Sequence, residues 1–229
     1  MRKIINIFNQ VKFYFKKYGM KATIKKCLRK IFWERGKNQE FLNYQRWISE
    51  NEPNAEELEI QRNHKFNIEP KISVVVPMYN TNENFFKDLV ECMKNQTYSN
   101  WELCLADGSP EIDEKLKKYY ENDNRIKYKH LEKNDGISGN TNEALKMVTG
   151  EYIGLLDHDD AIPVFALYEI VKCINEHPGV EFIYTDEDKI MNTLQHRCDP
   201  HFKPDFAPDT LRANNYITHL SVFEKELIE

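Results

Sequence analysis

The chain has 229 residues, enough for one α/β domain with a sizeable core plus an appendage and short of two independent catalytic domains. With 41% hydrophobic and 30% charged residues, it is neither a wholly disordered chain nor a polytopic membrane protein. The net charge of -5 hides a split, because residues 1–37 carry 12 Lys or Arg against the single acid Glu34, which leaves -16 on residues 38–229.

A basic arm on an acidic body directs the arm toward something anionic, either phospholipid headgroups or nucleic acid, and makes the body a poor nucleic-acid binder. In the arm, Ile4, Phe8, Val11, Phe15 and Tyr18 recur at steps of four and three among Lys12, Lys16 and Lys17, the pattern of an amphipathic helix. Gly19 interrupts it, and Ile24, Cys27, Leu28, Ile31 and Phe32 continue the apolar face among further basic residues. Such helices suit the headgroup layer of an anionic membrane; the alternative is a solvated helix that packs on its own domain or on a partner, but so dense a positive excess is more than solubility requires and favours the membrane. No run of about 18 apolar residues occurs and no secretory signal is recognisable. The expectation is a cytoplasmic protein, peripheral at the inner face of the plasma membrane. The five cysteines show no metal-site spacing.

Residues 38–70 read as a helical connector, with Asn54 and Glu57 near capping-box positions and Pro70 closing the segment. From Lys71 onward, short apolar runs alternate with helical stretches. Strands are expected at 72–76, 101–106, 125–130, 152–156 and 180–184, with helices near 83–95, 112–121, 138–149 and 164–176. That order makes 71–229 an α/β domain with a mostly parallel sheet flanked by helices, carrying an N-terminal helical appendage.

Open sheets of this kind bind ligands beyond the carboxyl ends of their strands. Pro77-Met78-Tyr79-Asn80 follows the first strand, Asp107-Gly108-Ser109 the second and Asp157-His158-Asp159-Asp160 the fourth. Acids crowded on one rim raise one another's pKa unless a cation or donors compensate. Carboxylate oxygens suit Mg²⁺ or Mn²⁺, with a diphosphate completing the shell. Helix capping and turn formation account for one or two of these aspartates; the triplet directly after a buried strand points to metal and nucleotide.

These residues resemble the family 2 glycosyltransferases of the GT-A fold over about residues 71–229. Val74 to Asn80 resembles the family's opening strand and nucleotide loop, bringing in Pro77 and Tyr79. Ser99 to Glu102 followed by Ala106 to Ser109 resembles the segment whose aspartate faces the nucleotide base, which assigns that role to Asp107. Gly136-Ile137-Ser138 through Asn142 resembles the loop and helix start beneath the sugar nucleotide. Asp157-His158-Asp159-Asp160 resembles the DxD motif, implying that Asp157 contacts ribose or metal-bound phosphate and that Asp157 and Asp159 hold the ion. Tyr184 to Lys189 and Phe202 to Asp209 are similar to a bacterial subgroup assigned to rhamnosyl transfer in cell-surface polysaccharides.

The resemblance implies an inverting, Mn²⁺- or Mg²⁺-dependent transfer from a nucleoside-diphosphate sugar to a glycan or lipid-linked acceptor. Where the family often has arginine, Thr141 precedes Asn142, which leaves the phosphate contact either missing or supplied by Lys133. Members of the subgroup continue past the position of Glu229, and that stretch normally brings the catalytic base. The chain is therefore expected to bind nucleotide but to transfer sugar poorly unless another polypeptide completes it. Asp186, Glu187 and Asp188 are secondary candidates for the base, and Asp205 and Asp209 read as turn residues. A nucleotidyltransferase would want a glycine-rich basic loop after the first strand, which Pro77 to Thr81 lacks. The competing class is a non-catalytic nucleotide-binding assembly module.

Overall fold

The computed structural model describes residues 39–191 and 193–228, together with positions 20, 23 and 36. The chain forms two compact units, Met1–Glu52 and Pro53–Glu229. The amphipathic helices expected within residues 1–37 otherwise lie outside the described residues. In the first unit, helix α1 covers 39–51, and its buried Tyr44 stacks on Trp47 with ring centroids 5.9 Å apart.

The second unit opens with α2 (Ala55–Asn63), started by the capping box: Glu57 N donates to Asn54 Oδ1 and Asn54 N to Glu57 Oε2. The chain to Pro70 then docks on the α/β body. Ile68 N donates to Asn175 Oδ1 at 2.9 Å and Tyr98 OH to Pro70 O at 2.6 Å. This is why the unit boundary falls at Glu52 and Pro53 rather than at Lys71.

The body runs β1 (Ile72–Met78), α3 (Glu83–Lys94), β2 (Trp101–Asp107), α4 (Glu114–Tyr120), β3 (Ile126–His130), α5 (Gly136–Leu145), β4 (Tyr152–Leu155) and α6 (Ala166–Glu176). It continues with β5 (Phe182–Tyr184), β6 (Glu187–Met191), β7 (Thr193–His201), α7 (Pro208–Ala213) and β8 (Ser221–Glu224). One sheet has the order β3-β2-β1-β4-β8-β5, and β6 pairs with β7 as a separate ribbon. β1 to β4 are mutually parallel, β8 is antiparallel to both β4 and β5, and helices flank the sheet. The expected mostly parallel α/β architecture is therefore the observed one.

β1 and β2 are buried along their whole length, as expected of central parallel strands covered on both faces. Ile72, Val74, Val76 and Met78 face a core shared with Phe86, Leu89 and Met93 of α3 and Leu167, Ile170 and Val171 of α6. Val75 faces the opposite core, with Cys104, Ala106, Ile153 and Ala144 of α5. The 3-4 spacing of apolar residues in α3 and α6 places these side chains on one stripe.

Differences from the expected elements concentrate after Tyr184. The ribbon, α7 and β8 were not anticipated, and Asp209, expected in a turn, stands in the first turn of α7. The fifth strand does not pair with the fourth, because β8 comes between them.

At the amino-terminal end of the sheet, Glu102 is a hub with a side chain 1% exposed. It accepts from Ser73 Oγ at 2.7 Å, Thr149 N at 2.6 Å and Thr149 Oγ1 at 2.8 Å, and it pairs with Lys71 at 3.0 Å and Lys127 at 2.8 Å. Burial by itself pushes the Glu102 carboxyl up, but the bonds from Lys127, Thr149, Ser73 and Lys71 outweigh it and bring the pKa down to about 2 from 4.5. A folded-state pKa below the unfolded one stabilises fully above pH 4.5, and this contribution is lost as pH falls toward 2. Glu102→Gln is expected to cost about 3 kcal/mol at neutral pH, the low end for a broken buried pair. The lysines, 35% and 33% exposed, can turn to water. Urea titrations should show the deficit of the variant shrinking below pH 4.5; a constant deficit down to acid would overturn this account.

Candidate nucleotide and cation site

The site follows from where β1 parts from β4. Leu156 N donates to Val75 O, and Gly108 N to Met78 O. Val75 and Pro77 therefore turn their backbone toward β4, and Val76 and Met78 toward β2. The β1–β4 ladder ends at Val75 and Leu155 while the β1–β2 ladder continues to Met78 and Asp107. Pro77, which has no N–H to give, stands just beyond the last β4 pair, so it breaks no ladder bond. The strands diverge there, at the point where strand order reverses on either side of β1, which is where open α/β sheets form ligand crevices.

Tyr79 is half exposed at this opening, and Asn80 has a φ of 49°, a left-handed value that asparagine tolerates. Asn80 N donates to Ser109 Oγ at 2.8 Å. Ser109 in turn donates to Asp107 Oδ1 through its N at 2.9 Å and through its Oγ at 2.5 Å, while Tyr128 OH donates to Asp107 Oδ2 at 2.7 Å. Burial, then the bond to Asp107, holds the Tyr128 hydroxyl well above the ordinary phenol range. Asp107 is 2% exposed, so its carboxylate braces the loop from behind with both oxygens engaged. His130 has Nε2 2.8 Å from Ser109 O.

On the neighbouring side, α5 begins at Gly136, whose φ of 75° suits glycine. Asn140, 2% exposed, donates to Met78 O at 3.2 Å and to Asn134 Oδ1 at 3.1 Å, and it accepts from Asp135 N. It is Asn140 that ties the start of α5 to the end of β1, whereas Ser138 and Asn142 are exposed. Asp135, the N-cap, makes no side-chain cap bond. The 10-residue helix thus presents backbone N–H groups that an anion can use. Lys133 pairs with Asp135.

Asp157 follows β4, and the structure brings to it a residue the sequence reading missed. His219 Nε2 lies 3.1 Å from Asp157 Oδ2 and 4.0 Å from Asp160 Oδ2, and its Nδ1 lies 3.3 Å from Leu155 O. One ligand atom from each of Asp157, Asp160 and His219 falls within 4.8 Å of the others. Asp159 is exposed and stands outside this group. With Nδ1–H donated to the Leu155 carbonyl, the neutral ring presents its Nε2 lone pair to a carboxylate lone pair. That contact is stable only if a proton or a metal ion lies between them. The hydrogen bond with Asp157 raises the His219 pKa and lowers that of Asp157. Burial, then repulsion from Asp159 and Asp157 against the pull of His219, raises that of Asp160. An imidazole nitrogen and two carboxylates, partly exposed, form a donor set that fits a divalent cation, with a carbonyl fixing the histidine tautomer as at metal sites.

The three acids after β5 are engaged elsewhere. Asp186 Oδ1 accepts from Lys203 N at 2.6 Å, and Asp188 pairs with Arg197 at 2.6 Å. Glu187 meets Thr218, Lys203 and His201. Burial pushes Glu187 up, but these three bonds outweigh it and hold its pKa below the usual range.

The family model described as Glycosyl transferase family 2 matches residues 73–228. The chain belongs to this glycosyltransferase family. Two relatives are similar to this domain to different extents. An uncharacterised protein of Sinorhizobium fredii is 44% identical over 162 residues, 69% of this chain and 18% of that one. The O-antigen biosynthesis protein RfbC of Myxococcus xanthus is 28% identical over 189 residues, 81% of this chain and 15% of its own length. The chain thus spans less than a fifth of either relative. Among solved structures, S. aureus TarS 1-349 in complex with UDP is similar at 29% identity and a TM-score of 0.46, covering 50% of this chain and 34% of that one.

Proposed function

We propose that the family 2 domain described here binds a nucleoside-diphosphate sugar together with Mn²⁺ or Mg²⁺ and transfers the sugar, with inversion, to a lipid-linked cell-surface polysaccharide acceptor. The observation that carries the reading is the meeting of His219 with Asp157 and Asp160 at the crevice beside the Pro77 to Asn80 loop. Asp157, Asp160 and His219 would hold the cation. When bound, it neutralises charge that grows on the departing diphosphate. Tyr79 and the loop braced by Asp107 and Ser109 would position the nucleoside, and the start of α5 would receive phosphate oxygens. Asp186, Glu187 and Asp188, each tied to a basic partner or a backbone N–H, have less freedom than a base needs to take the proton of an attacking hydroxyl. The similarity to an O-antigen biosynthesis protein supports a polysaccharide acceptor, and the basic residues 1–37 support work at an anionic membrane.

Calorimetry decides. UDP and dTDP are titrated into the protein with and without Mn²⁺, and at least one nucleotide is expected to bind more tightly, by about tenfold or more, when the ion is present. Absence of heat with both nucleotides, or binding indifferent to Mn²⁺, would overturn the reading.

A further inference from the structure

The segments 184–189 and 202–209 have no role in the site as described so far, yet two of their residues converge on the backbone that carries His219. Lys203 has a side chain only 1% exposed. Its Nζ lies 2.7 Å from Ile217 O, 2.7 Å from His219 O, 3.4 Å from Thr218 Oγ1 and 3.2 Å from Glu187 Oε2. Thr218 Oγ1 also donates to Glu187 Oε2 at 2.5 Å, and the Lys203 backbone N–H is held by Asp186. A buried ammonium is costly unless its donors are matched, and here all its acceptors belong to one tripeptide and to Glu187. Within that tripeptide Thr218 has a φ of 37°, a value that a β-branched residue adopts only where its surroundings impose it. The histidine is thus gripped at two points: Lys203 holds its carbonyl from behind, and Leu155 O holds Nδ1.

We propose that Lys203 and Glu187 are a positioning pair that fixes the backbone of 217–219, so that His219 presents Nε2 to Asp157 and Asp160. This rests on the reading of those three residues as a cation site. Neither member of the pair touches the ion or the sugar; they act through His219. Glu187 has one further bond, to His201 of β7, but Lys203 Nζ spends all of its bonds on Glu187 and on the three residues that place a single imidazole.

The test is Mn²⁺ titration of the full chain in the presence of UDP, with free Mn²⁺ followed by electron paramagnetic resonance. The proteins compared are the parent, Lys203→Met, Glu187→Gln, His219→Ala and the two double variants that combine each positioning change with His219→Ala. Loss of a residue that orients a metal ligand typically weakens metal binding about 10–100-fold, and that loss is expected for Lys203→Met in the parent background. In the His219→Ala background the same change should move affinity by no more than roughly twofold, because the side chain it positions is gone. Should Lys203→Met fail to fold, as judged by near-ultraviolet circular dichroism, Glu187→Gln carries the same comparison while keeping the shape of the pair. Parental affinity in the positioning variants, or an equal loss with and without His219, would overturn the proposal. If His219→Ala itself binds Mn²⁺ as the parent does, the cation reading falls and the proposal with it. If His219→Ala weakens binding and the positioning variants do not, the cation reading stands and the positioning role alone is lost.

Discussion

Asp157→Ala is expected to abolish the Mn²⁺-dependent part of nucleotide binding, a loss of at least about 100-fold, since residues that merely orient metal ligands already account for 10–100-fold. Asp157 Oδ2 is the group His219 Nε2 faces at 3.1 Å, so its removal takes one donor from the cluster and frees the ring that supplies another. Comparing Asp159→Ala with Asp160→Ala then separates motif from geometry. The DxD pattern favours Asp159 as the second acid, whereas the structure places Asp160 in the group with Asp157 and His219. The geometry therefore expects the larger loss from Asp160→Ala. Calorimetry with UDP and Mn²⁺ reads both, and an Asp157→Ala protein that keeps Mn²⁺-dependent binding would remove these residues from the cation site.

Gly150→Ala is expected to produce the largest loss of stability by a single methyl group. A Cβ there would stand 2.3 Å from Lys71 O, 2.6 Å from Ser73 Oγ and 2.9 Å from Lys71 C. Two of these three atoms are backbone and cannot step aside. Lys71 O accepts the Glu151 and Tyr152 N–H groups, and Ser73 Oγ accepts the Gly150 N–H while donating to Glu102. Relief of the clash must therefore spread into the first β1–β4 pair and into the Glu102 hub. The expected cost is about 3 kcal/mol, the upper end for overpacking, or a midpoint lowered by roughly 10 °C for a domain of this size. A melting curve within about 2 °C of the parent would show that the strand start yields more readily than its bonding implies.

The fold was legible in the sequence up to Tyr184 because its signals are local. Val74, Val75 and Val76 and the Leu103 to Ala106 run are short unbroken apolar stretches of the length of a buried strand, and Phe86, Leu89, Val90 and Met93 fall on one helical stripe. The placing of the segments after the first, second and fourth strands at one rim was legible for the same reason, since a parallel sheet brings its carboxyl ends together whatever the details. Asn140 was obscured by its neighbour Asn142, because both stand near the helix start and only burial tells them apart. His219 had no local signal. It lies 62 residues beyond Asp157 on no periodic pattern, and it reaches the acids because β8 inserts beside β4 with the opposite direction. The bonds of Glu187 and Lys203 to the same turn depend equally on that insertion.

The position of β8 also orders events during synthesis. Through residue 155, β4 can pair on one side only, with β1, and its other margin keeps a row of bare amides and carbonyls until residues 221–224 have left the ribosome. A nascent chain at that stage exposes the kind of template on which strands of other molecules nucleate. The same late arrival that seals this margin delivers the imidazole, so closure of the sheet and the meeting of Asp157, Asp160 and His219 are one event.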